Sequence, residues 1–323
     1  MVNSNRLSSI LILNYNGFYL LKQNLPSVIK AINYTGIPHE LVVIDNGSTD
    51  KSTDFLKREY PFIRIIELNS NEGFGPAYNF AIPKSKNEIV VLLNNDISVK
   101  EDFLQPLLDH FSDNSVFGVS SKSYLSDGKT VDAERTCGRF KFGKFQVGTS
   151  HSEITCNELY VHGGCCAIDK KKFLLLGGFD NIYYPAYYED TDLGYRAWKR
   201  GWKVIYEPKS VVYHMHMATS KHLLKNKIGT LMTRNNFIFT WKNITGYKLF
   251  FFHLVFLPLW LVKNLLFGNL EAIKGFTLAT KKIRQIIIRR KREKLDQKIT
   301  DCEVFNLVAT PPLKKPIFWK RHY

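Results

Sequence analysis

The stretch ELVVIDNGSTD, Glu40 to Asp50, changes character at its midpoint. Leu41 to Ile44 is a β-branched run too short for a buried helix and suited to a strand covered on both faces. Asp45-Asn46-Gly47-Ser48 then breaks it with turn residues, and Ser48, Thr49 or Asp50 is placed to cap a following helix. The same order recurs along the first third of the chain. Strands are expected near Leu7–Leu13, Glu40–Ile44, Ile63–Leu68 and Glu88–Leu93. Their polar ends are Asn14-Tyr15-Asn16-Gly17, Asp45 to Ser48, Asn69 to Gly75, and Asn94-Asn95-Asp96. Strands alternating with helices from Leu7 to about Ser120 predict an α/β fold with a mostly parallel sheet. The carboxyl ends of such strands line a ligand crevice, so the four polar tips are expected to meet at one site.

At 323 residues and 45% hydrophobic, the chain can bury one large core or two modest ones. A formal net charge of +16 implies an anionic partner: a nucleotide diphosphate, a nucleic acid or an acidic lipid. Cys137, Cys156, Cys165, Cys166 and Cys302 show neither a disulfide framework nor close metal-ligand pairs. That pattern fits a reducing cytosol and argues against zinc held by Cys137, Cys156, Cys165 and His162. LSSILILNYN is too short for a signal peptide, so the catalytic part is expected in the cytoplasm.

Tyr124 to Tyr160, rich in Gly, Lys and Phe, reads as a long excursion with hairpin character. YVHGGCCAIDKKKFLLLGGFD reads as a strand, a short helix and a Gly-Gly turn. WKVIYEPKSVVYHMHM reads as a strand pair ending in Tyr213-His214-Met215-His216. The composition shifts after about Ser220. This divides the chain into a catalytic domain, 1–220, with halves of about 1–120 and 121–220, and a helical, basic region, 221–323. In that region LFFFHLVFLPLWLVKNLLFG precedes KKIRQIIIRRKREK. The cleanest apolar run, Leu249 to Val262, covers about 21 Å as helix, short of the roughly 30 Å hydrocarbon core. Basic residues flank it on both sides, and His253 and Pro258 interrupt it. A helix lying in the interface of the cell membrane's inner face is therefore expected, with the basic segment on anionic headgroups. A nucleic-acid reading of Lys281 to Lys294 lacks an aromatic-interleaved platform, so no nucleic-acid partner is expected.

Asp96 ends an apolar strand at the mouth of the crevice. It is placed either to hold a divalent cation that also grips phosphate oxygens, or to cap a helix beginning near Val99. Asp45 is placed to accept hydrogen bonds from a base or ribose. No G-x-G-x-x-G follows the first strand, which removes the main support for a dinucleotide. NYNGFYLL also lacks the basic phosphate loop a sugar nucleotidyltransferase would want. YYEDTDLGYRAWKRGW, Tyr187 to Trp202, gathers three carboxylates within four residues. The plain reading is a helix capped by Asp190 or Thr191 and ended by Gly201.

Six ordered motifs carry a resemblance: ILILNYNG, VVIDNGSTD, LNSNEGFGPAYN, VLLNNDI, GGFDNIYYPAYYEDTDLGYRAWKRGW and VVYHMHMAT. Over about residues 7 to 220 the chain resembles the family 2 glycosyltransferases, most closely the bacterial rhamnosyltransferase-like branch that builds surface polysaccharides. The resemblance implies a GT-A fold, a Rossmann-like nucleotide half joined to an acceptor half. It implies inverting transfer from a nucleotide-sugar, with dTDP-rhamnose ahead of UDP-sugars, to a glycan or lipid-linked acceptor, using Mg²⁺ or Mn²⁺. Asn14, Asp45, Asn46, Gly47 and Ser48 would then hold the nucleoside, and Asn71, Gly73 and Asn79 would line the donor pocket. Asn94-Asn95-Asp96 stands where the family has its D-x-D motif. The resemblance makes Asp96 the metal candidate and implies that Asn94 and Asn95 would contact the donor and that His214 would touch metal or diphosphate. Asp190 would be the general base, with Glu189 and Asp192 beside it to raise the proton affinity of one member. Asp192, Arg196 and Trp198 fall on the acceptor side, with Trp198 and Trp202 either stacking on sugar or packing in the core.

Overall fold

A computed structural model describes residues 6–215, 227–309 and 317–318; the end of the VVYHMHMAT motif, 216–219, lies outside the described residues. In the N-terminal half, β1 (Ser8–Asn14) lies between β2 (Glu40–Asp45) and β4 (Ile89–Asn94), and β3 (Arg64–Glu67) flanks β2, all parallel. The connections are α1 (Phe18–Tyr34), α2 (Ser52–Glu59) and α3 (Phe74–Ala81). Side chains alternate along these strands. Ile10, Ile12 and Val43 pack with Leu21, Leu25 and Val28 of α1, while Leu11, Val42 and Ile44 face Tyr78 of α3. Both faces are covered, which is why the strands read as unbroken apolar runs. The register sets Asn14 level with Asp45 and Leu13 level with Asn94, so the polar tips finish at one height.

The second half extends the sheet with mixed pairing. β11 (Cys165–Asp169) runs antiparallel between β4 and β6 (Val116–Leu125), and β12 (Lys203–His214) runs parallel to β6. Short strands β5 (Ile97–Val99) and β10 (Cys156–Asn157) pair with β12, and β7 (Val131–Ala133) pairs with β6. The expected hairpin is β8 (Thr136–Lys141) with β9 (Lys144–Thr149), which β13 (Ile317–Phe318) joins. It turns at Phe142-Gly143, both at positive φ. Three local expectations are corrected. KVIYEPKSVVYH, Lys203–His214, is one strand with a register shift between Glu207 and Val211, not a strand pair. Val99 ends strand β5 instead of starting a helix, and α4 begins later (Leu104–Asp109). Neither Ser48 nor Thr49 caps α2, which starts at Ser52; Asp50 Oδ1 instead accepts from the Ser52 amide at 3.0 Å.

After α5 (Lys170–Leu176) and α6 (Glu189–Lys199) come α7 (Ile228–Asn243), α8 (Tyr247–Leu266), α9 (Leu270–Thr280), α10 (Ile283–Leu295) and α11 (Asp301–Leu307). The compositional break after Ser220 does not mark a second core. Phe237, Phe239 and Trp241 of α7, Ile286 of α10 and Val304 of α11 belong to the same cluster as Leu11, Tyr78 and Trp198. Buried ion pairs Lys199–Asp301 (2.5 Å) and Arg200–Glu293 (2.6 Å) tie α6 to the last helices. Helix α8 is longer than the apolar run suggested: 20 residues, about 30 Å at the α-helical rise. Only 11% of its apolar window is buried, which excludes an ordinary core helix. One face is nonetheless pinned to the protein. Leu249, Phe250, Leu257 and Trp260 pack on the core, His253 Nε2 accepts from Trp241 Nε1 at 2.8 Å, and His253 Nδ1 donates to the Gly143 carbonyl at 2.6 Å.

Gly47 allows β2 to turn against the Ser70 backbone. Its φ is +75°, and a Cβ would lie 2.5 Å from the Ser70 carbonyl carbon. Gly47→Ala is expected to lower stability by about 1–3 kcal/mol in urea unfolding. Gly36→Ala, with φ +67° and open space around it, should cost no more than the backbone strain, about 1 kcal/mol.

Candidate active site

The polar strand tips bond to one another before they bond to anything else. Asn95 Nδ2 donates to Asn14 Oδ1 at 2.8 Å, and Asn14 Nδ2 donates to Asp45 Oδ1 at 3.3 Å and Ser48 Oγ at 3.2 Å. The Ser48 amide donates to Asp45 Oδ2 at 3.0 Å. On the next tip, Asn46 Nδ2 donates to Asn71 Oδ1 and the Glu72 amide donates to Asn46 Oδ1, both at 3.0 Å. Asn71 Oδ1 also accepts from the Gly73 amide at 3.0 Å, and Gly73, φ +83°, faces the ring of Tyr184. Asn14, Asp45, Asn46, Gly47, Ser48, Asn71 and Gly73 are thus brought together. Asn79 is not free to line the pocket. Its amide exchanges two 2.8 Å bonds with the backbone of Phe179 and latches α3 to the turn before the acidic stretch.

At the β4 tip, the Asn94 amide donates to the Gly164 carbonyl at 3.0 Å, and a Cβ on Gly164 would lie 2.7 Å from Asn94 Nδ2. His214 stands between two carboxylates, with Nε2 3.1 Å from Asp96 Oδ2 and Nδ1 2.8 Å from Asp132 Oδ2. Burial opposes charge on His214, but the bonds from Asp132 and Asp96 outweigh it and carry its pKa to about 9. Asp96 Oδ1 is buried and has no hydrogen-bond partner. An orphaned carboxylate oxygen beside an imidazole fits a divalent ion whose other positions are filled by phosphate and water. Among the described residues no three His, Cys, Asp or Glu side chains are placed to hold a metal ion together, so a substrate phosphate would have to complete such a site. Asp132 escaped the sequence reading because it lies in the aperiodic excursion, with no motif around it.

The acidic stretch enters α6 through two successive residues in the left-handed region, Tyr187 (φ 73°) and Tyr188 (φ 76°). Neither Thr191 nor Asp190 caps the helix. It starts at Glu189, Tyr188 is its N-cap without a side-chain bond, and Gly201, φ +77°, follows its end as expected. This strained entry is held by α7. Asn235 Nδ2 donates to the carbonyls of Ala186 (2.9 Å) and Tyr187 (2.7 Å). Arg234 Nη2 donates to those of Tyr183 and Tyr184 (both 2.8 Å), and Asn236 Nδ2 donates to the Tyr188 hydroxyl (2.8 Å).

Three carboxylates in one turn take different electrostatic roles. Burial, then the neighbouring Asp190, pushes Glu189 up from 4.5 to about 8, and Glu189 Oε2 has no partner. Burial also raises Asp190, against the opposing bond its Oδ1 accepts from the Thr191 amide at 2.6 Å and the pull of His162. Burial thus favours the protonated form of both neighbours, opposed at Asp190 by the Thr191 amide and His162. Burial would raise Asp192 as well, but Lys242 and Arg196 overcome it and hold that carboxyl well below the usual carboxylate range. Asp192 accepts from Arg196 Nε (2.6 Å), Lys242 Nζ (2.8 Å), Asn243 Nδ2 (2.7 Å) and the Tyr183 hydroxyl (2.8 Å).

The acceptor-side assignment of Asp192, Arg196 and Trp198 is corrected. They are 0%, 2% and 2% exposed, so none reaches an acceptor. Arg196 binds the Leu176 and Gly178 carbonyls at 2.8 Å, and Trp198 Nε1 donates to the Glu158 carbonyl at 2.8 Å. Trp202 packs against the same core. The missed residues are Arg234, Asn235, Lys242 and Asn243. Spacings of seven and eight along an apolar segment put them on one helical face, a signal present in TRNNFIFTWKN. Lys242→Met removes the cation shared by Asp192 and Asp180 (2.6 Å) and is expected to destabilise by about 3–5 kcal/mol in urea unfolding.

Comparisons with known proteins agree with this geometry. Residues 9–174 match the family described as Glycosyl transferase family 2, a span that takes in every donor-side tip and stops before Glu189. The chain is 26% identical over 216 residues to the O-antigen biosynthesis protein RfbC of Myxococcus xanthus, covering 62% of this chain and 17% of that protein. It is 26% identical over 211 residues to the N-acetylglucosaminyl-diphospho-decaprenol L-rhamnosyltransferase of Mycobacterium tuberculosis, covering 57% of this chain and 68% of that one. Among solved structures, GalNAc-T7 with UDP, GalNAc and Mn²⁺ superposes with a TM-score of 0.57 at 18% identity, over 75% of this chain and 49% of that one. The mannosyltransferase PcManGT from Pyrobaculum calidifontis, with GDP-Man and Mn²⁺, gives 0.55 at 16%, over 91% and 88%. These likenesses establish the GT-A fold. With more than half of its length matched by the family, and with the polar tips of its strands gathered at one crevice, the chain belongs to glycosyl transferase family 2.

Proposed function

We propose that the chain transfers a sugar, with inversion, from a nucleotide-diphosphate sugar to a hydroxyl of a glycan or lipid-linked acceptor in surface polysaccharide synthesis. The observation that carries this is the placement of two adjacent carboxylates, Glu189 and Asp190, in the first turn of α6, where burial raises the proton affinity of both. Asp190 takes the proton of the acceptor hydroxyl as that oxygen attacks the anomeric carbon. Glu189, kept neutral, adds no second negative charge beside it. Inversion follows from a single displacement. The turn His162–Gly164 joins the two ends of the reaction: Gly164 backs Asn94 on the donor side, and His162 favours the charged form of Asp190.

On the donor side, Asn14, Asp45, Asn46 and Ser48 offer a pre-bonded polar surface to a nucleoside, with Asn71, Gly73, Asn94 and Asn95 beside the sugar and diphosphate. A Mg²⁺ or Mn²⁺ ion held through the unpartnered Asp96 Oδ1 would offset charge on the departing diphosphate, with His214 adding positive charge beside it. The relative named as a rhamnosyltransferase favours dTDP-rhamnose, and the neighbours with UDP and GDP-Man keep other nucleotides in play. The exposed apolar stripe of α8 suits a chain lying on the inner face of the membrane, where a lipid-linked acceptor is found.

Asp190→Asn is expected to abolish transfer while a thermal-shift titration with UDP, dTDP or GDP and Mn²⁺ still detects nucleotide binding. Undiminished turnover would remove Asp190 from the mechanism. Glu189 has a second signature. Its raised pKa means that the folded state keeps a proton the unfolded state releases, so its contribution to stability is lost as pH rises from 4.5 towards 8. Glu189→Gln should therefore gain thermal stability relative to the parent protein across that window, and show little difference below it.

A further inference from the structure

We propose that the groove between the β8–β9 hairpin and α8 binds the phosphate headgroup and proximal chain of an anionic membrane phospholipid. This rests on the reading that α8 lies at a membrane surface. The groove has a volume of about 530 Å³. Lys141 and Lys144 of the hairpin and Lys263 of α8 supply three amines, and no carboxylate lines it among the described residues. Its apolar lining includes Phe256, Leu259 and Trp260. The Lys144 amine lies 4.1 Å from the centre of the Trp260 ring, so charge is held directly over apolar surface.

Two further observations select a lipid. The apolar lining is continuous with the outward stripe of α8, since Leu259, 63% exposed, belongs to both and follows Phe252 and Val255 along one face. A ligand seated there shares the plane in which that stripe would rest on acyl chains, with its phosphate among the amines. The walls are also fixed in advance. Gly143 at the hairpin tip sits so close to α8 that a Cβ would fall 2.7 Å from the Phe256 Cβ, and its carbonyl accepts from His253 Nδ1. A preformed cationic groove with an apolar extension matches a phosphate diester carrying acyl chains better than a free anion, which would leave the aromatic lining wet.

The test is co-sedimentation of the full chain with phosphatidylcholine vesicles, with and without phosphatidylglycerol. The triple variant Lys141→Gln, Lys144→Gln, Lys263→Gln is compared with a control of three exposed lysines outside both the groove and the basic segment 281–294, Lys22→Gln, Lys86→Gln, Lys171→Gln. At about fivefold per surface lysine, the groove triple is expected to lose roughly 100-fold in affinity for the anionic vesicles and to keep its affinity for neutral ones. The control should lose distinctly less, and unchanged thermal unfolding of the groove triple would show that it folds. Equal losses in the two triples would overturn the groove and leave general basic attraction. Reversal of binding by inorganic phosphate at constant ionic strength would overturn the lipid assignment in favour of a free anion. If the parent protein binds neither vesicle, the membrane reading of α8 fails, and this proposal with it.

Discussion

A single buried carboxylate, Asp192, organises the second half of this molecule. It is fully buried and saturated by a lysine, an arginine, an amide and a phenol drawn from α6, α7 and the turn before α6. A buried ion set of this kind is weak evidence for net stability, because desolvation offsets much of the attraction. Its value here is positional. Each partner can satisfy its charge only when the Gly-Gly turn, the head of α6 and the end of α7 meet in one arrangement. Glu189 and Asp190 precede Asp192 in the same helical turn, where burial favours protons instead of removing them.

The cluster at the strand tips is built differently. Its side chains are short, uncharged for the most part, and bonded to each other across strand tips set level by the β1–β2 and β1–β4 registers. Little reorganisation remains when a ligand arrives, and preorganisation of this kind is a common source of affinity in polar sites. The left-handed tyrosines ahead of α6 mark the contrast. There the backbone is held in a costly conformation by Arg234 and Asn235, as sites that position a reacting group often are.

The parallel half of the fold was readable because its signal is local. Val42 to Ile44 followed by Asp45-Asn46-Gly47 specifies a buried strand and a turn without reference to any distant residue. The four expected strands agree with the observed ones to within a residue or two at their ends, as terminal definitions allow. The acceptor half was less readable because its determinants are long-range. Whether Asp192 meets an acceptor or a lysine depends on Lys242, fifty residues later, inside a helix whose apolar character masks the polar face that does the holding. Trp198 was misplaced for the same reason: its spacing is equally compatible with a surface and with the core, and only the Glu158 carbonyl decides between them. The compositional break after Ser220 marks a change of surroundings for α8, whereas α7 remains part of the shared core.

The dependence of α6 on α7 also bears on how such chains can diversify. The bonds among the tips of β1, β2 and β4 lie within residues 14–95, so that cluster can be inherited whole while other regions change. The acceptor end is a contract between two segments distant in sequence, since Asn235 and Lys242 hold a loop they did not accompany along the chain. Recombination joined anywhere between Asp192 and Lys242 would unite a carboxylate with a foreign helix. Only crossovers that lie outside that interval, or that bring matching partners on both sides of it, keep the arrangement whole. Variation at the head of α6 would therefore arise more readily by exchanging the α6–α7 unit intact than by grafting the acidic motif alone.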